Sequence, residues 1–127
     1  MTVALWCILI AIFLPYVCIY IAKLGGRFRL ADNHDPRDFL ENLDGFARRA
    51  YAAQLNSFEI TPAFAAAVIV AHLAGNAELV TINVLSVLFI TSRLLYIICY
   101  LADWAILRSL VWFVGMALIA SFFFVSM

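Results

Sequence analysis

A chain of 127 residues with 67% hydrophobic and only 13% charged side chains is too apolar for a water-soluble domain, where about a quarter of residues are charged. Eight basic and eight acidic residues cancel to a formal net charge of zero, so no basic surface suits nucleic acid. Cys7, Cys18 and Cys99 sit singly in apolar runs, which argues against a disulfide framework or a metal knuckle.

The first apolar run, about Thr2 to Ala22, is about long enough to span a bilayer, and no charge precedes Lys23. Both features separate it from a cleavable signal peptide. Pro15 is a potential kink within it. Lys23, Arg27, Arg29, Arg37, Arg48 and Arg49 all lie between the first two apolar segments, and only Arg93 and Arg108 lie elsewhere. This bias places the first connection in the cytoplasm and both termini on the non-cytoplasmic side.

Leu30 to Asp35 reads as a polar loop. Asp35-Pro36 is a helix start, an aspartate N-cap followed by proline at the first helical position. Phe39, Leu43, Phe46 and Ala50 then recur at helical spacing, which predicts an amphipathic cytoplasmic extension of the second helix, 36–74 in all, with Gly45 as its weak point. Asp38, Glu41 and Asp44 fall between the apolar positions, where a solvated surface and a ligand role are equally open. Ala63, Ala67, Ala71 and Gly75, four apart, let a neighbouring helix approach closely. His72 reads as an interfacial histidine, and Gly75-Asn76 as the end of this helix and the cap of the next.

The third segment, about 77–102, is mostly Leu, Ile and Val but carries Arg93, with Tyr96 and Tyr100 on the same face. Asp103-Trp104 marks the return to the interface. The fourth, about 107–125, opens with Arg108-Ser109 and is otherwise apolar, facing lipid or a neighbouring subunit. The expected fold is therefore all-α, an integral membrane four-helix bundle forming one domain over 1–127.

Arg49, Asn56 and Glu59 share one side of the second helix at about 100° per residue. Glu59 lies ten residues past Arg49, and Arg93 ten before Asp103, so both sit about 15 Å from the same membrane face. Opposite charges at one depth predict an ion pair, since an isolated charge in a bilayer is expensive. With Asn56, Tyr96, Tyr100 and Arg108 nearby, the result is a pocket of cations, a carboxylate and hydroxyls. Such a pocket suits a small zwitterion or anion arriving from water, with a second partner arriving from lipid. No serine-histidine pair, metal-ligand spacing or phosphate-binding glycine loop is present.

The chain resembles the membrane-associated proteins in eicosanoid and glutathione metabolism, the family of leukotriene C synthase, microsomal prostaglandin E synthase and the microsomal glutathione transferases. Three motifs carry the resemblance: Arg49 with Ala53-Gln54-Leu55-Asn56, Glu59, Pro62 and Phe64; Arg93 with Tyr96 and Tyr100; and Arg108-Ser109-Leu110 leading to Trp112-Phe113-Val114-Gly115. The short form from Arg108 to Trp112 looks like the bacterial branch, which implies a bacterial inner membrane. The resemblance implies a homotrimer with glutathione as cosubstrate between adjacent subunits. It implies that Arg49, Asn56, Glu59, Arg93 and Tyr96 contact the tripeptide. It further implies that Arg108 activates the thiol, with Tyr100 beside it, and that a lipophilic electrophile is the second substrate of a transferase or peroxidase. The sequence departs from the family pattern at Ala52, where well-studied members carry an arginine, and so lacks one bidentate carboxylate clamp. That departure fits an alternative, a non-catalytic accessory subunit with the same fold.

Overall fold

The computed structural model describes residues 1–127. The first helix, α1 (Val3–Gly25), is capped by Thr2, whose Oγ1 accepts from the Leu5 amide at 3.3 Å. Its buried face is a run of small side chains, Ala4, Cys7, Ala11, Cys18 and Ala22, with Leu14 and Pro15 between them. In lipid there is no hydrophobic force between helices, so close approach through small residues carries the packing. Pro15 removes the donor that would bond the Ala11 carbonyl. The hydroxyl of Thr61, on the facing helix, replaces it: Thr61 Oγ1 lies 3.3 Å from Ala11 O and 2.7 Å from Ser57 O, sharing one proton between them.

After α1 the chain departs from the expected polar loop and long helix. Leu30–His34 forms a 3₁₀ turn, closed by Asp32 Oδ2 accepting from the Arg29 amide at 2.7 Å. A short helix, α2 (Pro36–Glu41), follows, with Asp35 Oδ1 accepting from the Asp38 amide at 3.1 Å. The expected helix over 36–74 is interrupted at its weak point, with the break lying between Glu41 and Gly45. Asn42 Nδ2 closes α2 by donating to Asp38 O at 2.8 Å, and Gly45 takes φ +53°, a left-handed conformation that glycine adopts readily. The cause is tertiary. Phe39 and Leu43, spaced as one helical face, fold back onto Gly26 at the end of α1, and Phe39 meets the Phe28 ring edge-on at 5.0 Å.

The second span is α3 (Gly45–Ala74), ended by Gly75 at φ +71°. Then come α4 (Leu79–Leu101) and α5 (Ala105–Val125). Four of these helices, α1, α3, α4 and α5, are long and apolar enough to cross a membrane. Asn76 does not cap α4; its Nδ2 donates instead to the carbonyls of Ser126 and Met127 at 3.1 and 3.4 Å, closing the end of α5. At the same end His72 Nδ1 lies 2.8 Å from Val68 O, so it is the donor, which leaves Nε2 to accept from Thr2 Oγ1 at 3.0 Å.

In the bundle α3 and α4 are central, with α1 against α3 and α5 against α4. The half near His72 is apolar: Phe64 stacks on Phe89 at 4.0 Å and meets Phe122 edge-on at 6.0 Å. The half near Arg49 holds the buried arginine, Arg93. This architecture is an all-α membrane bundle and defines an integral multi-pass membrane protein.

Candidate functional site

Arg93 is only 2% exposed, inside the bundle on α4. Its partner is not Glu59. The expected ion pair is replaced by hydrogen bonds from Nη2 to Asn56 Oδ1 at 2.9 Å and to Ser57 Oγ at 3.4 Å, with the guanidinium 4.2 Å over the Tyr96 ring. Asn56 and Ser57 lie three and two residues before Glu59, and the crossing of α3 and α4 brings them, not Glu59, opposite Arg93. Glu59 stays exposed on the α3 side that faces α5.

Accepting from Arg93 also orients Asn56. Its carbonyl oxygen is taken, so its amide N–H groups are what it offers outward. Asn56 and Trp112 both line two hollows between α3 and α5. One, of ≈ 220 Å³, is lined by Asn56, Tyr96, Arg108, Ser109, Trp112 and Phe113. The other, of ≈ 240 Å³, adds Glu59, Ile60, Ala63 and Met116 to Asn56 and Trp112. Arg108 is half-buried with its guanidinium 4.2 Å over the Tyr100 ring, and Tyr100 meets Tyr96 edge-on at 5.7 Å. The first hollow is rich in donors and has no acid in its lining; the second carries the carboxylate.

Of the residues selected from sequence, Asn56, Glu59, Tyr96 and Arg108 line the groove. Arg93 supports it from behind, and Tyr100 holds Arg108 by stacking without lining either hollow. Arg49 stands apart. Its Nε and Nη2 both donate to the Leu101 carbonyl at 3.3 Å, tying the start of α3 to the end of α4. Sequence reasoning missed Trp112 as a lining residue of both hollows, although it lies one turn after Arg108 and so on the same face. A larger cleft of ≈ 610 Å³ lies at the α1–α2 corner. Two of its three acids are bound locally, Asp32 to the Arg29 amide and Asp38 to Asn42, and it lacks the buried arginine that backs the smaller groove.

Arg108 lines this groove and Arg93 is buried behind it, charges of a kind that membrane helices rarely carry. Across residues 3–127 the chain matches the model of the MAPEG family, and it belongs to that family. Nothing matches among curated proteins or among solved structures. The family is in general associated with glutathione, and membership supports a membrane function of the transferase or peroxidase type or one related to it.

Proposed function

We propose that this chain is a glutathione-dependent membrane transferase or peroxidase acting on lipophilic electrophiles. The observation that carries the reading is the Arg108 guanidinium, held on the Tyr100 ring at the edge of a donor-lined hollow without an acid. The donor set fits a peptide thiol. Arg108, the Asn56 amide and the Tyr96 hydroxyl suit a carboxylate or thiolate, and Glu59 in the second hollow suits an ammonium. A free thiol ionises near pH 8.5, and the thiolate is the nucleophile. A guanidinium favours the anion, and Arg108 lies near the start of α5, where the backbone dipole acts in the same direction. Arg93 orients Asn56, and Tyr100 orients Arg108.

The reading extends to one domain over 1–127, assembled as a homotrimer in a bacterial inner membrane with both termini non-cytoplasmic. Glu59 is exposed on the single chain at a depth where carboxylates are not left to lipid, which supports a neighbouring copy or a ligand over the groove. A second reading, a non-catalytic accessory subunit, draws support from Arg49, whose guanidinium is engaged with a backbone carbonyl while Ala52 supplies no replacement.

The test is an ultraviolet difference spectrum at neutral pH, with glutathione against an oxygen analogue lacking the sulfur. Wild type should show thiolate absorbance, and Arg108→Leu should lose it while keeping its assembly. Absence of the signal in wild type at saturating thiol refutes the enzyme reading. Full signal in Arg108→Leu refutes the assignment of that residue.

A further inference from the structure

A separate hollow of ≈ 380 Å³ lies between α2 and the outer face of α3, away from the Arg108 groove. Its lining runs from α2, where Leu40 is buried beside charged groups, along successive turns of α3. At the rim are Arg37 and Glu41, both exposed on α2. They are one turn apart, the spacing of a helical ion pair, yet they do not bond each other. The bond formed at this corner is Arg48 Nη1 to the backbone carbonyl of Glu41 at 3.3 Å, which leaves the carboxylate and the Arg37 guanidinium open.

Below the rim are Tyr51 and Gln54, both half-buried. Gln54 lies five residues beyond Arg49, about 7–8 Å into the membrane by helical rise. At the base are Leu55 and Phe58, exposed, with Phe58 about 13–14 Å deep by the same measure. Phe58 meets Tyr16 of α1 edge-on at 5.8 Å, and Tyr16 meets Phe13 at 6.3 Å, so the apolar track continues down α1.

A guanidinium and a carboxylate at the headgroup level, amide and phenol groups at the ester level, and aromatic and aliphatic side chains at the acyl level follow the order of groups in a phospholipid. We propose that this hollow binds one phospholipid whose headgroup carries both a phosphodiester and a primary ammonium, as in phosphatidylethanolamine. Arg37 takes the phosphate, for which the planar guanidinium is suited. Glu41 accepts from the ammonium. Gln54 and Tyr51 donate to the glycerol esters, and the acyl chain lies along Leu55, Phe58 and Tyr16. The charge pair selects the headgroup. A quaternary choline ammonium has no N–H for Glu41, and a glycerol headgroup has no cation for it.

The test is native mass spectrometry of the intact protein released from nanodiscs of equal phosphatidylethanolamine, phosphatidylcholine and phosphatidylglycerol. Wild type should retain phosphatidylethanolamine in preference to the other two. Arg37→Gln and Glu41→Gln should each lower that preference about tenfold, the loss of one charge-assisted hydrogen bond. Both positions are exposed, so the variants should fold, and circular dichroism verifies this. As a second readout, tryptophan in Phe58→Trp should be quenched by phosphatidylethanolamine brominated on its acyl chain, and less so when Arg37 is also replaced. Equal retention of the three lipids overturns the proposal, as does a preference unchanged in both variants. A preference for phosphatidylglycerol that needs Arg37 but not Glu41 overturns the zwitterionic assignment. Retention of no lipid, as when a second copy of the chain covers this face, overturns it as well.

Discussion

Replacing Asn56 by leucine should damage this protein more than replacing Arg93 by methionine, and replacing Glu59 by glutamine should hardly matter. The order follows from which atoms meet. Arg93 is 2% exposed and its closest bond is the 2.9 Å contact with Asn56 Oδ1. A hydrogen bond to a charged group contributes about 1.5–3 kcal/mol, and an arginine at the centre of a membrane helix costs about 2.5–3.5 kcal/mol. Asn56→Leu removes the acceptor and leaves the charge, with only Ser57 Oγ at 3.4 Å and the Tyr96 face to compensate. The net loss should be about 2–3 kcal/mol. Arg93→Met removes the charge together with its demand, and Asn56 Oδ1 borders a groove from which it can be hydrated. That loss should be about 1 kcal/mol. Glu59→Gln should leave stability unchanged or raise it slightly, because it removes an unpaired carboxylate from a depth where charge is costly, whereas a member of a buried ion pair would cost about 3–5 kcal/mol. The assay is equilibrium unfolding in mixed micelles with rising dodecyl sulfate, followed by tryptophan fluorescence. The Asn56→Leu/Arg93→Met double variant should be less harmed than the sum of the two changes. A loss near 3 kcal/mol in Glu59→Gln, or strict additivity of the Asn56 and Arg93 changes, refutes the reasoning.

Arg49→Gln removes the two donors to Leu101 O, so it should destabilise the protein by about 1–2 kcal/mol and speed amide exchange around Asp103, with little change at Phe64. Unchanged exchange at that turn would show that the tie is idle. A methyl group at Gly26 would run into Leu43 Cδ2 and Phe39 Cζ, so Gly26→Ala should cost about 1–3 kcal/mol and open the 27–44 segment to proteolysis. Resistance equal to wild type would mean that α2 does not depend on that contact. Cysteines placed at Asn33 and Met127, both exposed, should label from opposite sides of intact cells, Met127 from outside. Labelling of both from one side would overturn the assigned orientation.

The four spans were legible because hydropathy is local and lipid leaves no choice: a backbone without water must bond within its own helix. The helix end at Gly75 was legible for a similar reason, since a left-handed residue there favours glycine. Asn56, Glu59, Tyr96 and Arg108 could be placed on one groove because helical periodicity sorts faces before any contact is known. What periodicity cannot resolve is a single turn. Asn56 and Glu59 share a stripe and differ in depth by about 4.5 Å, less than one helical pitch. Only the crossing of α3 and α4 decides which of them meets Arg93.

The same limit explains the other surprises. Arg49 belongs to the polar stripe by angle, but its reach ends on a carbonyl that α4 presents fifty-two residues later. Asn76 follows a helix end and precedes a helix start, yet it bonds the far terminus of α5, which no spacing reveals. Phe39 and Leu43 carry a helical period that fits one long rod as well as a short helix folded back on Gly26. Local chemistry determined which segments are helices long and apolar enough to cross a membrane and which of their side chains carry charge. Tertiary structure decided which hydrogen-bond acceptor each buried donor finds, because that depends on the angle and offset between helices.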